Sequence, residues 1–174
     1  MHVHIGNDDR DKPSNLRLKP SWKNSWLSLT NGSGKVPATE WAARRETVRR
    51  EKMLVGRFQK GGVGILAGTD DISPYVMPGF SLHDELVLLV ESGLTPLQAL
   101  QAATLNPAKF FDRLASFGTI EKGKFADLVL LDANPLADIR NTTKIRAVVV
   151  NGRFLDRPEL DRILSEIETA AGGK

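Results

Sequence analysis

The chain has 174 residues, 41% of them hydrophobic and 26% charged, which is the make-up of a globular domain with a real core. The absence of cysteine excludes disulfides, thiolate metal sites and a cysteine nucleophile, and it suits a cytoplasmic setting. No apolar run approaches the roughly 20 residues of a membrane-spanning helix, no secretory leader opens the sequence, and a net charge of only +3 gives little pull on a polyanion.

In chain order, residues 1–37 are irregular, rich in Asn, Asp, Ser, Gly and Pro, with Trp22 and Trp26 spaced for a single helical turn. Thr39 is placed to cap a long polar helix from Glu40 to about Lys60, with Trp41, Val48, Val55 and Phe58 roughly on one stripe. Its basic cluster of Arg44, Arg45, Arg49, Arg50 and Lys52 is interleaved with Glu40, Glu46 and Glu51. That mixture reads as a solvated helix face with intrahelical pairs in preference to a nucleic-acid patch. Gly61 and Gly62 stop the helix.

Val63 to Gly68 is short, apolar and glycine-punctuated, the pattern of a buried strand. After a Pro- and Gly-bearing loop, Ser81 caps a helix carrying Leu82, Leu86, Leu89 and Val90, and Gly93 ends it. Asp84 and Glu85 in its first turn suit the helix dipole. Thr95-Pro96-Leu97-Gln98 has the form of a capping box, and Asn106-Pro107 opens a further short helix. From Gly118 the period shortens. Ala126–Leu131 and Ile145–Val150 read as strands, and Asn151-Gly152 as a tight hairpin turn into Arg153-Phe154-Leu155. Leu160, Ile163, Leu164 and Ile167 then recur at helical spacing. The expected organisation is an irregular segment 1–37, an α/β unit 38–117, a β segment 118–157 with its join near Phe117 to Gly123, and a terminal helix 158–174.

The strand ending Ala67-Gly68-Thr69-Asp70-Asp71 carries the sharpest chemical signal. A carboxylate at the C-terminal end of a buried strand sits where parallel α/β barrels place reacting groups, although Asp70 or Asp71 also serves as an ordinary turn cap. The run Gly62 to Asp70, continued by Pro78-Gly79-Phe80-Ser81-Leu82-His83-Asp84-Glu85-Leu86, resembles the eighth barrel strand and following helix of the amidohydrolase superfamily. The branch it resembles holds imidazolonepropionase-like enzymes and metal-dependent Xaa-Pro dipeptidases. Glu91 to Leu100, Ala103 to Ala108, Gly118 to Leu128, Asp132 to Leu136 and Val150-Asn151-Gly152 continue the resemblance in order.

The resemblance implies an α/β fold: the last strand and helices of a TIM-like barrel, plus a small β-sandwich segment. It implies a hydrolase acting on the carbon–nitrogen bond of a small amide or dipeptide, with Asp70 as both metal ligand and general acid/base. A divalent metal, zinc by preference, lowers the pKa of bound water to about 7, and a carboxylate on that water carries its proton to the leaving nitrogen. His2-Val3-His4 alternates so that both imidazoles share one face of a strand, and Met1 to Gly6 resembles the family's first-strand metal motif; an exposed chain end accounts for the same residues. His83 is a substrate or supporting contact at the mouth of the site, or a surface residue of the helix. Asp127 and Asp132 are turn residues.

Lys12 to Lys60 offers no strand bearing the family's bridging lysine and no histidines for its fifth and sixth strands. The resemblance therefore implies a C-terminal part of the barrel, reached through an internal deletion or a late start. The alternative to an enzyme is a catalytically inactive piece acting through a partner, a homo-oligomer or other chain covering the open barrel edge, since uncovered strands aggregate.

Overall fold

The computed structural model describes residues 38–70 and 76–172. Helix α1 (Ala38–Lys60) leads into an irregular segment, residues 61–70. Helices α2 (Ser81–Glu91), α3 (Pro96–Ala103) and α4 (Leu105–Phe110) follow. Strand β1 (Leu128–Leu131), a 3-10 turn (Ile139–Thr143), β2 (Ile145–Val150), β3 (Arg153–Leu155) and helix α5 (Arg157–Gly172) complete the described chain.

Local sequence explains most boundaries. At the end of α1, Val63 N–H donates to Phe58 O and Gly62 N–H to Gln59 O, with Gly62 at φ 77°, a Schellman close on the glycine pair expected to stop the helix. The same pair of bonds ends α2, from Leu94 to Leu89 O and from Gly93 to Val90 O, with Gly93 at φ 105°. It recurs after α4 with Asp112 in the left-handed position. The capping box before α3 is complete: Gln98 N–H donates to Thr95 Oγ1 at 3.2 Å, and Thr95 N–H to Gln98 Oε1 at 2.8 Å. Two expected caps differ. Thr39 lies one residue inside α1, and Ser81 is the first residue of α2, its Oγ accepting from Met77 N–H at 2.7 Å. A turn closed by Phe80 and Ser81 N–H on Met77 O already leads the chain into α2, so the hydroxyl serves the loop and no side chain caps the helix.

The sheet is antiparallel, in the order β1-β2-β3, with Leu128 opposite Val149 and Val150 opposite Arg153. Asn151 and Gly152, at φ 49° and 78°, form its two-residue hairpin turn. Asp127 closes the neighbouring end by accepting from Asn151 N–H at 2.6 Å, and Asp132 pairs with Arg146 at 3.1 Å, the turn roles expected of them.

The core gathers Leu86, Leu89, Leu94, Ala99, Ala102 and Ile139, with Val55, Ile65 and Ala67 packed against it. It joins α2 and α3 to the 3-10 turn, so residues on both sides of Phe117–Gly123 share one apolar cluster. Gly56 is buried at the crossing of α1 with the end of α2; a Cβ there would lie 2.2 Å from Ser92 O. Lys52 Nζ and Glu91 pair across the same crossing at 2.6 Å. Along α1, Glu46 binds Arg49 and Arg50, both at 2.7 Å, as its charge pattern led us to expect. Phe58, expected on the buried stripe, is exposed.

Candidate active site

Residues 63–70 follow the expected strand only in part. Burial alternates from Ile65 to Asp70: Ile65, Ala67 and Thr69 turn inward while Leu66, Gly68 and Asp70 are exposed. That is the period of an extended chain with one face packed. Yet the segment pairs with no strand among the described residues, and Val63 and Leu66 stand open. Its backbone bonds go to the helices instead. Ala67 N–H donates to Ala102 O at 2.9 Å, Asn106 Nδ2 to Ile65 O at 2.8 Å, and Gly68 N–H to Glu85 Oε1 at 2.8 Å. The expectation of a fully buried strand is corrected to a one-sided one, because burial on the second face and a regular ladder both require neighbours that the described residues do not supply.

Asp70 ends this segment, exposed and at φ 52°, a left-handed conformation that aspartate tolerates better than most residues. His83 lies half-buried on the first turns of α2, its Nδ1 3.0 Å from Thr142 Oγ1. The buried Thr142 hydroxyl donates to Ile139 O at 2.9 Å, so its oxygen accepts from His83. That assigns the neutral ring's proton to Nδ1 and leaves Nε2 as an acceptor. Desolvation holds the His83 pKa below its ordinary 6.5, opposed in part by the charge of Asp84. His83 thus ties α2 to the β segment. His2 and His4 lie outside the described residues, as does Asp71. No group of three or more His, Asp or Glu side chains able to hold a metal converges among the described residues.

Glu85 departs from its expected role at the helix dipole. It sits beyond the first turn of α2, and one oxygen reaches across to Gly68. Its other oxygen, Oε2, is buried with no hydrogen-bond partner among the described residues. The sequence held a signal for this: Glu85 falls on the same stripe as Leu82, Leu86 and Leu89, an acid on the apolar face. Asn106 had a weaker signal, since the first turn of a helix accounts for an asparagine without any distant partner.

These features agree with what similar proteins show. The chain belongs to the amidohydrolase family, whose sequence pattern matches residues 29–155. It is 34% identical to ochratoxinase of Aspergillus niger over 121 residues, 68% of this chain and 24% of that protein. Bottromycin amidohydrolase superposes with a TM-score of 0.75 at 27% identity, over 95% of this chain and 37% of that one. A Xaa-Pro dipeptidase, at 24% identity a likeness of fold alone, gives a TM-score of 0.59 over 82% of this chain and 34% of that one. The mixed α/β arrangement is thus a hydrolase-like one, and the chain spans from 24% to 37% of the length of these relatives. Among the described residues, no helix is long and apolar enough to cross a membrane.

Proposed function

We propose that this chain supplies the acid/base carboxylate of a hydrolase that cleaves the carbon–nitrogen bond of a small amide or dipeptide, with Asp70 as the catalytic residue. One observation carries the reading. Asp70 closes the one-sided extended segment at an exposed, left-handed turn, inside the region that matches the amidohydrolase family. A carboxylate so placed accepts the proton of an attacking water and returns it to the departing nitrogen, which an amine needs to leave. Family membership and the names of ochratoxinase and bottromycin amidohydrolase support the reaction class.

The described residues by themselves do not fit a resident metal, since no sufficient ligand set converges among them. A divalent ion, zinc by family expectation, therefore depends on His2 and His4 joining Asp70, or on ligands brought by other polypeptide. We infer that residues 62–110 complete a TIM-like barrel and that β1 to β3 form part of a small β-sandwich. The exposed Val63 and Leu66 support cover by a second polypeptide surface, from a copy of this chain or another one. The lack of cysteine supports a cytoplasmic setting.

A second reading, a catalytically inactive module working through a partner, is favoured by that same absence of a ligand set. Metal analysis of the purified chain, with an assay on Xaa-Pro dipeptides and simple amides, separates the two. The enzyme reading expects stoichiometric zinc and turnover, both lost in Asp70→Ala. A chain that takes up no metal, or is indifferent to Asp70→Ala, leaves the second reading standing.

A further inference from the structure

We propose that Glu85 is a positioning residue that sets the direction in which Asp70 leaves the extended segment; this rests on the reading of Asp70 given above. The placement of Glu85 is costly. A carboxylate on the apolar stripe of α2 has one oxygen buried without a donor, and a buried unpaired polar atom weakens a fold unless it serves another end. Its other oxygen accepts from Gly68 N–H at 2.8 Å, a charge-assisted bond reaching 17 residues back along the chain.

The location of that bond matters. Asn106 and Ala102 hold the segment at Ile65 and Ala67, so its first half is anchored to α3 and α4. Gly68 is the last anchored residue before Asp70, and its lack of a side chain leaves the backbone there freest to turn. Without the carboxylate, two soft dihedral angles at Gly68 would separate Asp70 from the nearest fixed point. With it, the peptide between Ala67 and Gly68 is held from both sides of its junction, and the left-handed turn at Asp70 starts from a defined origin. A group that shuttles a proton needs this, because small misplacements of a reacting carboxylate cost rate steeply.

NMR of the full chain tests the inference. A hydrogen-bond scalar coupling between Gly68 N and the Glu85 carboxyl carbon should be present in the unaltered protein. Glu85→Met keeps side-chain length and packing but removes the acceptor. It should speed exchange of the Gly68 amide about tenfold, the loss of one hydrogen bond, while the Ala67 amide, bonded to Ala102, stays unchanged. It should also weaken the strong amide–Hα cross-peak within Asp70 that marks a positive φ. Glu85→Gln, which deletes the same charge but retains an acceptor oxygen, should restore both signals. Should Glu85→Met not fold, Glu85→Asp, one methylene short of Gly68, takes its place.

Absence of the coupling overturns the proposal. So does faster Gly68 exchange with an unaltered Asp70 cross-peak, because Glu85 would then hold only Gly68. Loss of zinc in Asp70→Ala beside an unchanged Asp70 cross-peak in Glu85→Met refutes this inference and leaves the hydrolase reading intact. A lost cross-peak in a chain that never binds zinc does the reverse.

Discussion

His83 and Thr142 show how one side-chain pair links local chemistry to the stability of the fold. The His83 ring is neutral in the folded chain because its surroundings are desolvated, while an unfolded histidine titrates near 6.5. The depressed value makes the unfolded state the better proton binder at acid pH, so stability is full above 6.5 and falls as pH drops through the folded-state value. In urea titrations we expect the midpoint to decline between pH 7 and pH 5, and His83→Asn, whose amide N–H keeps the bond to Thr142, to flatten that decline. An unchanged slope in the variant would mean that His83 stays protonated at the interface. Glu46 adds acid sensitivity in a lower window. Its hydrogen bonds to Arg49 and Arg50 pull its pKa down to about 2, so their contribution is lost only as pH falls below the ordinary glutamate range. At this scale the sequence was partly legible. Asp70 could be singled out because strand pattern and terminal carboxylate adjoin in the chain. The partnerships of Glu85 with Gly68 and of His83 with Thr142 could not, since each joins residues far apart in sequence whose contact exists only after folding.

Helix ends were the most readable elements, because a cap is built from residues within one turn of each other. The Thr95–Gln98 box formed as its spacing required, and Thr95→Ala should cost about 1 kcal/mol in chemical denaturation. The glycine closures after α1 and α2 formed in the same way. The hairpin at Asn151-Gly152 was equally local, and β2 and β3 match their expected limits. Ser81 and the Val63–Gly68 strand were less readable for two different reasons. A serine hydroxyl has several backbone partners in reach, and the turn at Met77 had already fixed the entry to α2. A strand is a relation between segments, so an apolar run shows that a chain can be extended but not what lies beside it.

Across the whole molecule, the apolar cluster ties together pieces that composition alone would separate. Ile139 is 3% exposed among leucines and alanines of α2 and α3, so it fastens the 3-10 turn to the helices. Ile139→Ala should cost about 2–5 kcal/mol, with the helices and the β segment still losing structure in one transition when followed by circular dichroism and by fluorine labels on phenylalanine. Separate transitions would show that the two parts fold independently. The small volume of this cluster was not evident from composition: Phe110, Phe111 and Ile120 count as hydrophobic in the sequence but are exposed in the described chain. Hydrophobic content sets how much core a chain has the means to build, and the arrangement of elements sets how much it does.

The meeting of Gly56 with Ser92 O also makes a pivot. Gly56→Ala should lose about 1–3 kcal/mol despite alanine's better helix propensity, because the added carbon meets backbone that has little room to retreat. If the protein escapes the clash by tilting α1, the motion is magnified along the rod. From Gly56 to Ala38 the helix runs about 27 Å, so a swing of about 5° at the fulcrum carries its far tip about 2 Å. A methyl group at one crossing would thus be felt most at the remote end of the lever, with the leucines near the fulcrum scarcely displaced.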